Sequence, residues 1–394
     1  MPSAADFRRV SGRAADPGLR TRLIRLALVI PTLDQSGAER QLTLLAKGLP
    51  RDEFTVHVFA LNRGGRYADE LMDAGIAVEV AGKRFRFDPL TWWRLRQGLR
   101  TFRPHVVQSF LFSANSYVRL PGVCPADCRL VVSERCVDQW KSGWQLELDR
   151  RLLSHTDAMT ANSESVARFY ASVGIPRHLI TVIPNGTPAV PPGGDREAVR
   201  RLPGLEGTRH IVGFAGRLAR QKRLPDLIWA FQLLHQVVDD VKLVLIGDGP
   251  ERDALSELAQ NLGCRDRIIF AGHRPDAVSL LSGCDVFCLP SEFEGMSNSL
   301  MEAMSAGVPV VVSAIDANRE LVSHEQTGLE CPVGSAPELA RALRRILTDS
   351  ELGHRLSTAA REFIRTQASV EKMVAAHADL YRRLASGTTP SAAP

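Results

Sequence analysis

Short apolar runs recur along the chain, each closed by a glycine-bearing or polar turn, and longer stretches with apolar positions three and four apart lie between them. Continuous apolar runs alternating with a 3.6-residue period are the mark of buried parallel strands joined by amphipathic helices. In the first half the strand-like runs are 26–31, 55–61, 76–80, 106–109, 130–133, 158–161 and 181–183. Helical patterns between them use Leu42, Leu45, Ala46 and Leu49, then 67–74 closed by Gly75, then 89–102, 145–154 and 163–173. The second half repeats the alternation with strands at 211–215, 243–246, 268–271, 285–290 and 308–312, and ends in helical patterns at 336–347, 352–364 and 369–384. In the last of these His377 falls on the apolar face and is expected to be a hydrogen-bonded packing residue. The pattern predicts an α/β chain with two parallel sheets, helices covering both faces of each.

The densest stretch is 291–307, Ser-Glu-Phe-Glu-Gly-Met-Ser-Asn-Ser-Leu-Met-Glu-Ala-Met-Ser-Ala-Gly, between two strand-like runs. It predicts a loop and a short helix, with Leu300, Met301 and Met304 on one face and Gly307 at the C-terminal cap. Glu294 falls in the loop and Glu302 about one turn into the helix, so both can face the anion-favouring N–H groups of the helix N-terminus. Ser299-Leu-Met-Glu302 also fits a capping box, in which Glu302 would only tie off backbone donors. Ligands of parallel sheets bind at loops following the carboxyl ends of strands. Arg217, Lys222, Asp248, His273, Glu294 and Glu302 all fall in or beside such loops, as do Gly216 and Gly247, and are expected to converge on one crevice. In the first half the corresponding loops carry Gly37, the apolar segment 110–115, and Ser133-Glu-Arg135 leading to Trp140-Lys141-Ser-Gly-Trp144. There Arg135, Trp140, Lys141 and Trp144 are candidates for clasping an acceptor.

Composition changes this picture little. The chain has 394 residues, 44% hydrophobic and 24% charged, a soluble globular balance long enough for two domains. Its net charge of +5 is modest, although the N-terminal arginines and Lys83-Arg-Phe-Arg86 form basic clusters. These are ordinarily solvated surface; the sharper reading is an anionic membrane surface or a phosphorylated acceptor. No recognition motif accompanies the charge, so nucleic acid is not expected as a partner. Seven cysteines without Cys-x-x-Cys pairs suggest free thiols in a reducing compartment, and no metal site is expected. No apolar run reaches the ~20 residues of a membrane span. A cytoplasmic protein is expected, peripheral on the cytoplasmic face of a membrane in the sharper reading.

Several of these motifs resemble the retaining, GT-B-type glycosyltransferases of family 4, also called glycosyl transferases group 1. They are Gly216-Arg-Leu with Gln221-Lys222, Gly247-Asp-Gly-Pro250, Glu294-Gly-Met-Ser with Leu300-Met-Glu-Ala-Met304, and Gly307-Val-Pro-Val310. Val182-Ile-Pro-Asn-Gly186 fits the family's interdomain stretch and Gly37-Ala-Glu39 its N-terminal loop. The resemblance runs from about 24 to 384. It implies two facing Rossmann-like domains, at 21–186 for the acceptor and 187–366 for the nucleotide sugar, with a crossover helix at 367–384 returning to the first. Residues 1–20 and 385–394 are expected to be disordered. It further implies a UDP- or GDP-sugar donor, no cofactor or metal, and a hydroxyl acceptor such as a lipid-linked or surface polysaccharide intermediate. Arg217 and Lys222 would hold the diphosphate and offset charge on the leaving group. Glu294 would bind the donor sugar, Glu302 the ribose, Gly37 the diphosphate from the other domain, and Gly295, Met296, Ser297 and Asn298 would offer backbone amides.

Three positions depart from the family pattern. Ser36 replaces a glycine, Phe110 stands where many members have histidine, and Asp316-Ala-Asn-Arg319 replaces the residues that usually include Gly-Gly before Glu320. A nucleotide-sugar epimerase of similar fold, and a non-catalytic nucleotide-sugar sensor, are the rival functions.

Overall fold

The computed structural model describes residues 23–34, 36–137, 141–190 and 197–387. The expectations for 1–20, for 388–394 and for Trp140 fall outside them. The first sheet holds β1 (Ile24–Thr32), β2 (Phe54–Arg63), β3 (Ala77–Val80), β4 (Val106–Phe110), β5 (Arg129–Glu134), β6 (Ala158–Ala161) and β7 (Ile180–Val182). The second holds β8 (His210–Ala215), β9 (Val241–Ile246), β10 (Ile268–Gly272), β11 (Val286–Leu289), β12 (Val310–Ser313) and β13 (Leu329–Cys331). Strand orders are β3-β2-β1-β4-β5-β6-β7 and β10-β9-β8-β11-β12-β13, every pairing between these strands being parallel. Leu26 to Ile30 of β1 have no exposure, which is why this run is continuously apolar rather than alternating.

Each sheet reverses its order beside its first strand: β1 lies between β2 and β4, β8 between β9 and β11. At such a switch point successive connections leave to opposite faces and open a crevice at the carboxyl edge. The loops after β8 and β11 flank the second switch point, and these are the loops carrying Arg217, Lys222 and Glu294.

One hydrophobic core surrounds the second sheet and takes side chains from Ala198 to Ala368, including Leu356, Ala360 and Ile364 of the helix Ser350–Gln367. The next helix, Val370–Ala385, instead packs Met373, Val374, Ala378 and Tyr381 into the core of the first sheet. The chain therefore crosses between the sheets twice, and the crossings touch: Thr187 N–H donates to Ala368 O at 2.9 Å. His377, 3% exposed, bonds through Nδ1 to Met373 O at 3.0 Å, the packing role its position suggested. Burial lowers its pKa to about 4.

The structure departs from the sequence pattern at several elements. The segment after β4, read as an apolar loop, is the helix Leu111–Val118, entered through Leu111 at φ 70° and burying Ala114, Asn115, Tyr117 and Val118. The strand β13 and the helices Ala277–Ser282 and Asp316–Arg319 are too short to display a period and were not foreseen. Order continues past Ala385, where Ser386 N–H reaches Arg382 O at 3.0 Å to close the last helix.

Candidate functional site

Arg217, Lys222, Asp248, His273, Glu294 and Glu302 line one cleft of about 820 Å³ between the sheets, with Gly37 and Arg40 across from them. Gly216, Gly247, Met296, Ser297 and Asn298 also line it. The convergence expected from strand ends is thus found for these side chains.

The wall on the β8–β13 side is assembled by backbone. Gly216 N–H bonds Ile246 O at 2.9 Å, Leu218 N–H bonds Asp248 O at 3.0 Å, and Gly247 N–H bonds Gly272 O at 2.7 Å. Gly247, at φ 137°, leaves no room for a Cβ, which would overlap the Gly216 carbonyl. The three loops can lie this close only because glycine stands there. Asp248 uses one carboxylate oxygen on Gly249 N–H (2.7 Å) and lies 3.6 Å from Arg252, so it shapes the turn at the cleft edge. His273 is exposed at the lip.

Lys222 forms an ion pair with Glu294, both side chains largely buried. Gln221 fixes the neighbouring backbone, its Nε2 donating to Phe293 O at 2.6 Å, while Glu292 N–H bonds Gln221 O at 2.9 Å. The loops after β8 and β11 are thereby joined across the switch point. Arg217 is exposed on the same wall, and its guanidinium meets no hydrogen-bond or ion-pair partner among the described residues.

The stretch 291–307 folds as predicted in outline: loop, helix Asn298–Ser305, and Gly307 at φ 75° beyond the C-cap. Its N-cap is Ser297, whose Oγ accepts from Leu300 N–H at 3.4 Å. The Ser299–Glu302 capping box is therefore absent. Glu302 instead reaches across the cleft to an ion pair with Arg40 on the helix Gly37–Gly48. Burial pulls Arg40 below its ordinary value, yet a guanidinium stays charged. Asn298 also spans the cleft: Nδ2 donates to Gly37 O at 3.1 Å, and Oδ1 accepts from Asn185 at 2.8 Å and Gln41 at 3.2 Å. Its backbone N–H faces the cleft end of the helix while its side chain is committed to the junction. Met296 joins the same junction, its carbonyl accepting from Asn185 Nδ2 at 3.1 Å. Gly295 is absent from the cleft lining; a Cβ there would overlap the Arg135 carbonyl, so this glycine permits the two domains to touch.

Among the described residues, Arg135, Lys141 and Trp144 do not come together as an acceptor clasp. Lys141 is buried, with Nζ 3.3 Å from Glu134, 3.1 Å from Asp149 and 2.6 Å from the Tyr170 hydroxyl. Arg119 pairs with the same Asp149, giving a dry network of two cations and two carboxylates. A lysine neutralising buried carboxylates cannot also meet a ligand. Arg135 bonds the Asn185 side chain and lies 5.9 Å over the Phe110 ring, and burial lowers its pKa to about 10. Trp144 remains exposed but stands outside the cleft, edge-on to Phe112 and under Arg86. Phe110 is 1% exposed and belongs to the core, so no acid–base group occupies its position.

Sequence reasoning missed Arg40, Gln41 and Asn185. Arg40 and Gln41 lie three and four positions after Gly37, on the first turn of a helix opening at a strand end. That placement was the available signal.

The model of the family described as Glycosyltransferase Family 4 matches residues 35–190, and that of Glycosyl transferases group 1 matches 195–363. The chain is 30% identical to the lipopolysaccharide core biosynthesis glycosyltransferase LpsD of Rhizobium meliloti, over 89% of this chain and 96% of that protein. It is 28% identical to a GDP-mannose-dependent phosphatidylinositol monomannoside mannosyltransferase of Mycobacterium tuberculosis, over 59% of this chain and 63% of that one. Among solved structures, Anabaena Alr3699/HepE in complex with UDP-glucose superposes with a TM-score of 0.79 at 23% identity, over 91% of this chain and 99% of that one. With the two switch-point sheets and the returning helix, these matches make the chain a member of the GT-B glycosyltransferases of family 4.

Proposed function

We propose that this transferase moves a hexosyl group from a UDP- or GDP-sugar to a hydroxyl of a lipid-linked or surface polysaccharide intermediate, with retention of configuration and without a metal ion. The observation that carries the reading is Arg217: an exposed cation in a cleft, without a partner among the described residues, beside the Lys222–Glu294 pair and the N-terminus of a helix. A diphosphate seated there meets two side-chain cations and the free N–H groups of the first helical turn, which favour negative charge. The bond from the anomeric carbon to the phosphate oxygen breaks while the acceptor oxygen bonds that carbon on the same face. The acceptor's proton passes to the departing phosphate oxygen, and a nucleoside diphosphate leaves. Negative charge grows on the diphosphate as this happens, so fixed cations lower the barrier without a side-chain nucleophile. Lys222 orients Glu294 toward the sugar hydroxyls, and Glu302 accepts from the ribose, sharing it with Arg40.

Relatives of this chain bear names citing lipopolysaccharide core synthesis and GDP-mannose, and a structural neighbour binds UDP-glucose. These support a sugar-bearing acceptor and leave both bases as donors to test. A panel of nucleotide sugars screened for thermal stabilisation identifies the donor, since a ligand of the native state raises the melting temperature. Nuclear magnetic resonance of the product then reads the anomeric configuration, and an inverted product overturns the mechanism. Turnover that stops in EDTA and returns with a divalent ion overturns the metal-free reading. Epimerised sugar formed from donor alone favours the rival.

A further inference from the structure

We infer that the helix Leu224–Leu234 carries a self-association surface, through which two copies of this chain pair side by side with these helices parallel. Trp229, Leu233 and, in the turn that follows, Val237 are exposed by 47%, 45% and 61%. They recur every fourth residue and so form one apolar stripe. Val333, 40% exposed, extends it at the start of the helix, where the adjoining Gly334 lies against Arg223, the residue that opens the helix. Among the described residues from 197 to 387, these four are the exposed large apolar side chains, so the second domain gathers them on one face. The inner face of the same helix buries Leu227, Phe231 and Leu234 in the core. A helix apolar on both faces is one that is covered on both.

Its neighbours say what covers it. The helix packs between the helices Arg252–Asn261 and Ala336–Thr348, and these flanks carry opposite charge. Residues 251–261 hold three carboxylates and one arginine, while 336–348 hold three arginines and one carboxylate. On the acidic flank Asp253 and Glu257 are exposed, and neither makes an ion pair among the described residues. On the basic flank Arg341 is held by Glu338 and Arg345 by Glu325, while exposed Arg344 makes no ion pair among the described residues.

These charges choose how two copies meet. A twofold axis along the stripe sets the acidic flank of each copy against the basic flank of the other, on either side of an apolar seam. An axis across the stripe sets acid on acid and base on base, which like charges oppose. An apolar centre within a charged rim, matched to itself by a twofold axis, is the anatomy of a homodimer interface. Three neighbouring helices present roughly 500 Å² per copy, below the ~800 Å² of a standard interface. The pairing is therefore weak, with an expected dissociation constant on the order of 10 μM. The inference goes beyond glycosyl transfer, and its test uses no donor, so the two readings fail separately.

The test is sedimentation velocity of the full chain between about 1 and 100 μM, a range that brackets this affinity. The parent should pass from monomer to dimer across it. Trp229→Glu with Leu233→Glu should raise the dissociation constant by about thirtyfold or more, the effect of losing an aromatic hot spot. Asp253→Lys with Glu257→Lys, and separately Arg341→Glu with Arg344→Glu, should each weaken pairing by roughly tenfold, because each then sets like charge on like. An equimolar mixture of these two charge variants should recover the parent's dimer, since each meets the opposite sign on the other. The charge variants alter exposed side chains and should melt close to the parent. A parent that stays monomeric over the whole range overturns the inference, as does a stripe variant that pairs as the parent does. Parent-like pairing by both charge variants, or a mixture that recovers nothing, overturns it as well.

Discussion

Two regions of the molecule handle charge in opposite ways. On the β8–β13 wall of the cleft, Arg217 stands exposed with no partner among the described residues and Lys222 pairs with Glu294, while backbone contacts between glycine-bearing loops supply rigidity. In the β1–β7 domain, outside the cleft lining, Lys141, Glu134, Asp149 and Arg119 neutralise one another in a buried network. The first region keeps a cation at the cleft and is held by backbone; the second consumes its charge to hold itself. A charged residue near a cleft is thus informative only once its counterion is known.

That contrast can be broken at four points, from the largest effect to the smallest. Lys141→Ala leaves buried Glu134 without a cation, Asp149 keeping Arg119, and should cost about 3–5 kcal/mol, read by denaturant unfolding; a loss under 1 kcal/mol would mean that water reaches the network. Arg217→Ala should lower kcat by about 10²–10³-fold, the scale for deleting one group that stabilises transition-state charge, with an unchanged melting temperature. Parent-like turnover in that variant would move the diphosphate seat elsewhere.

The third point is pH. His377 is neutral in the folded state with a pKa of about 4, below the ordinary 6.5, so the unfolded chain binds the extra proton first. Stability should be intact above pH 6.5 and fall as pH drops toward 4, by on the order of 3 kcal/mol. His377→Gln should flatten that slope in unfolding midpoints measured across the window. Smallest is Arg40→Ala. It frees Glu302 from a largely buried ion pair and should tighten donor binding by up to about fivefold in calorimetry, the scale of ~1 kcal/mol. Weaker binding would show that Arg40 itself touches the donor.

The cleft wall was legible in the sequence and the buried network was not. Gly216, Gly247, Arg217, Lys222, Glu294 and Glu302 sit in or beside loops after strands, and topology alone carries strand ends to one edge. Lys141 lies seven and eight positions from Glu134 and Asp149, a spacing without meaning until β5 and the helix Gly143–Arg151 pack together. Flanked by tryptophans, it looked like a surface clasp. Gly295 was read as an amide donor to a ligand, when its lack of a side chain admits the Arg135 carbonyl. The helix Leu111–Val118 was hidden because the turn into it rests on a positive φ at a leucine, which no residue pattern announces.

Asn298 is at once the first residue of the helix facing the cleft and the acceptor for Asn185 and Gln41 at the junction. Any opening of the domains must move or release the residue that begins that helix. Domain angle and anion affinity are consequently linked quantities: whatever factor closure adds to diphosphate binding, diphosphate adds to closure. A substitution at Asn185, outside the lining of the cleft, should then be felt as a change in donor affinity.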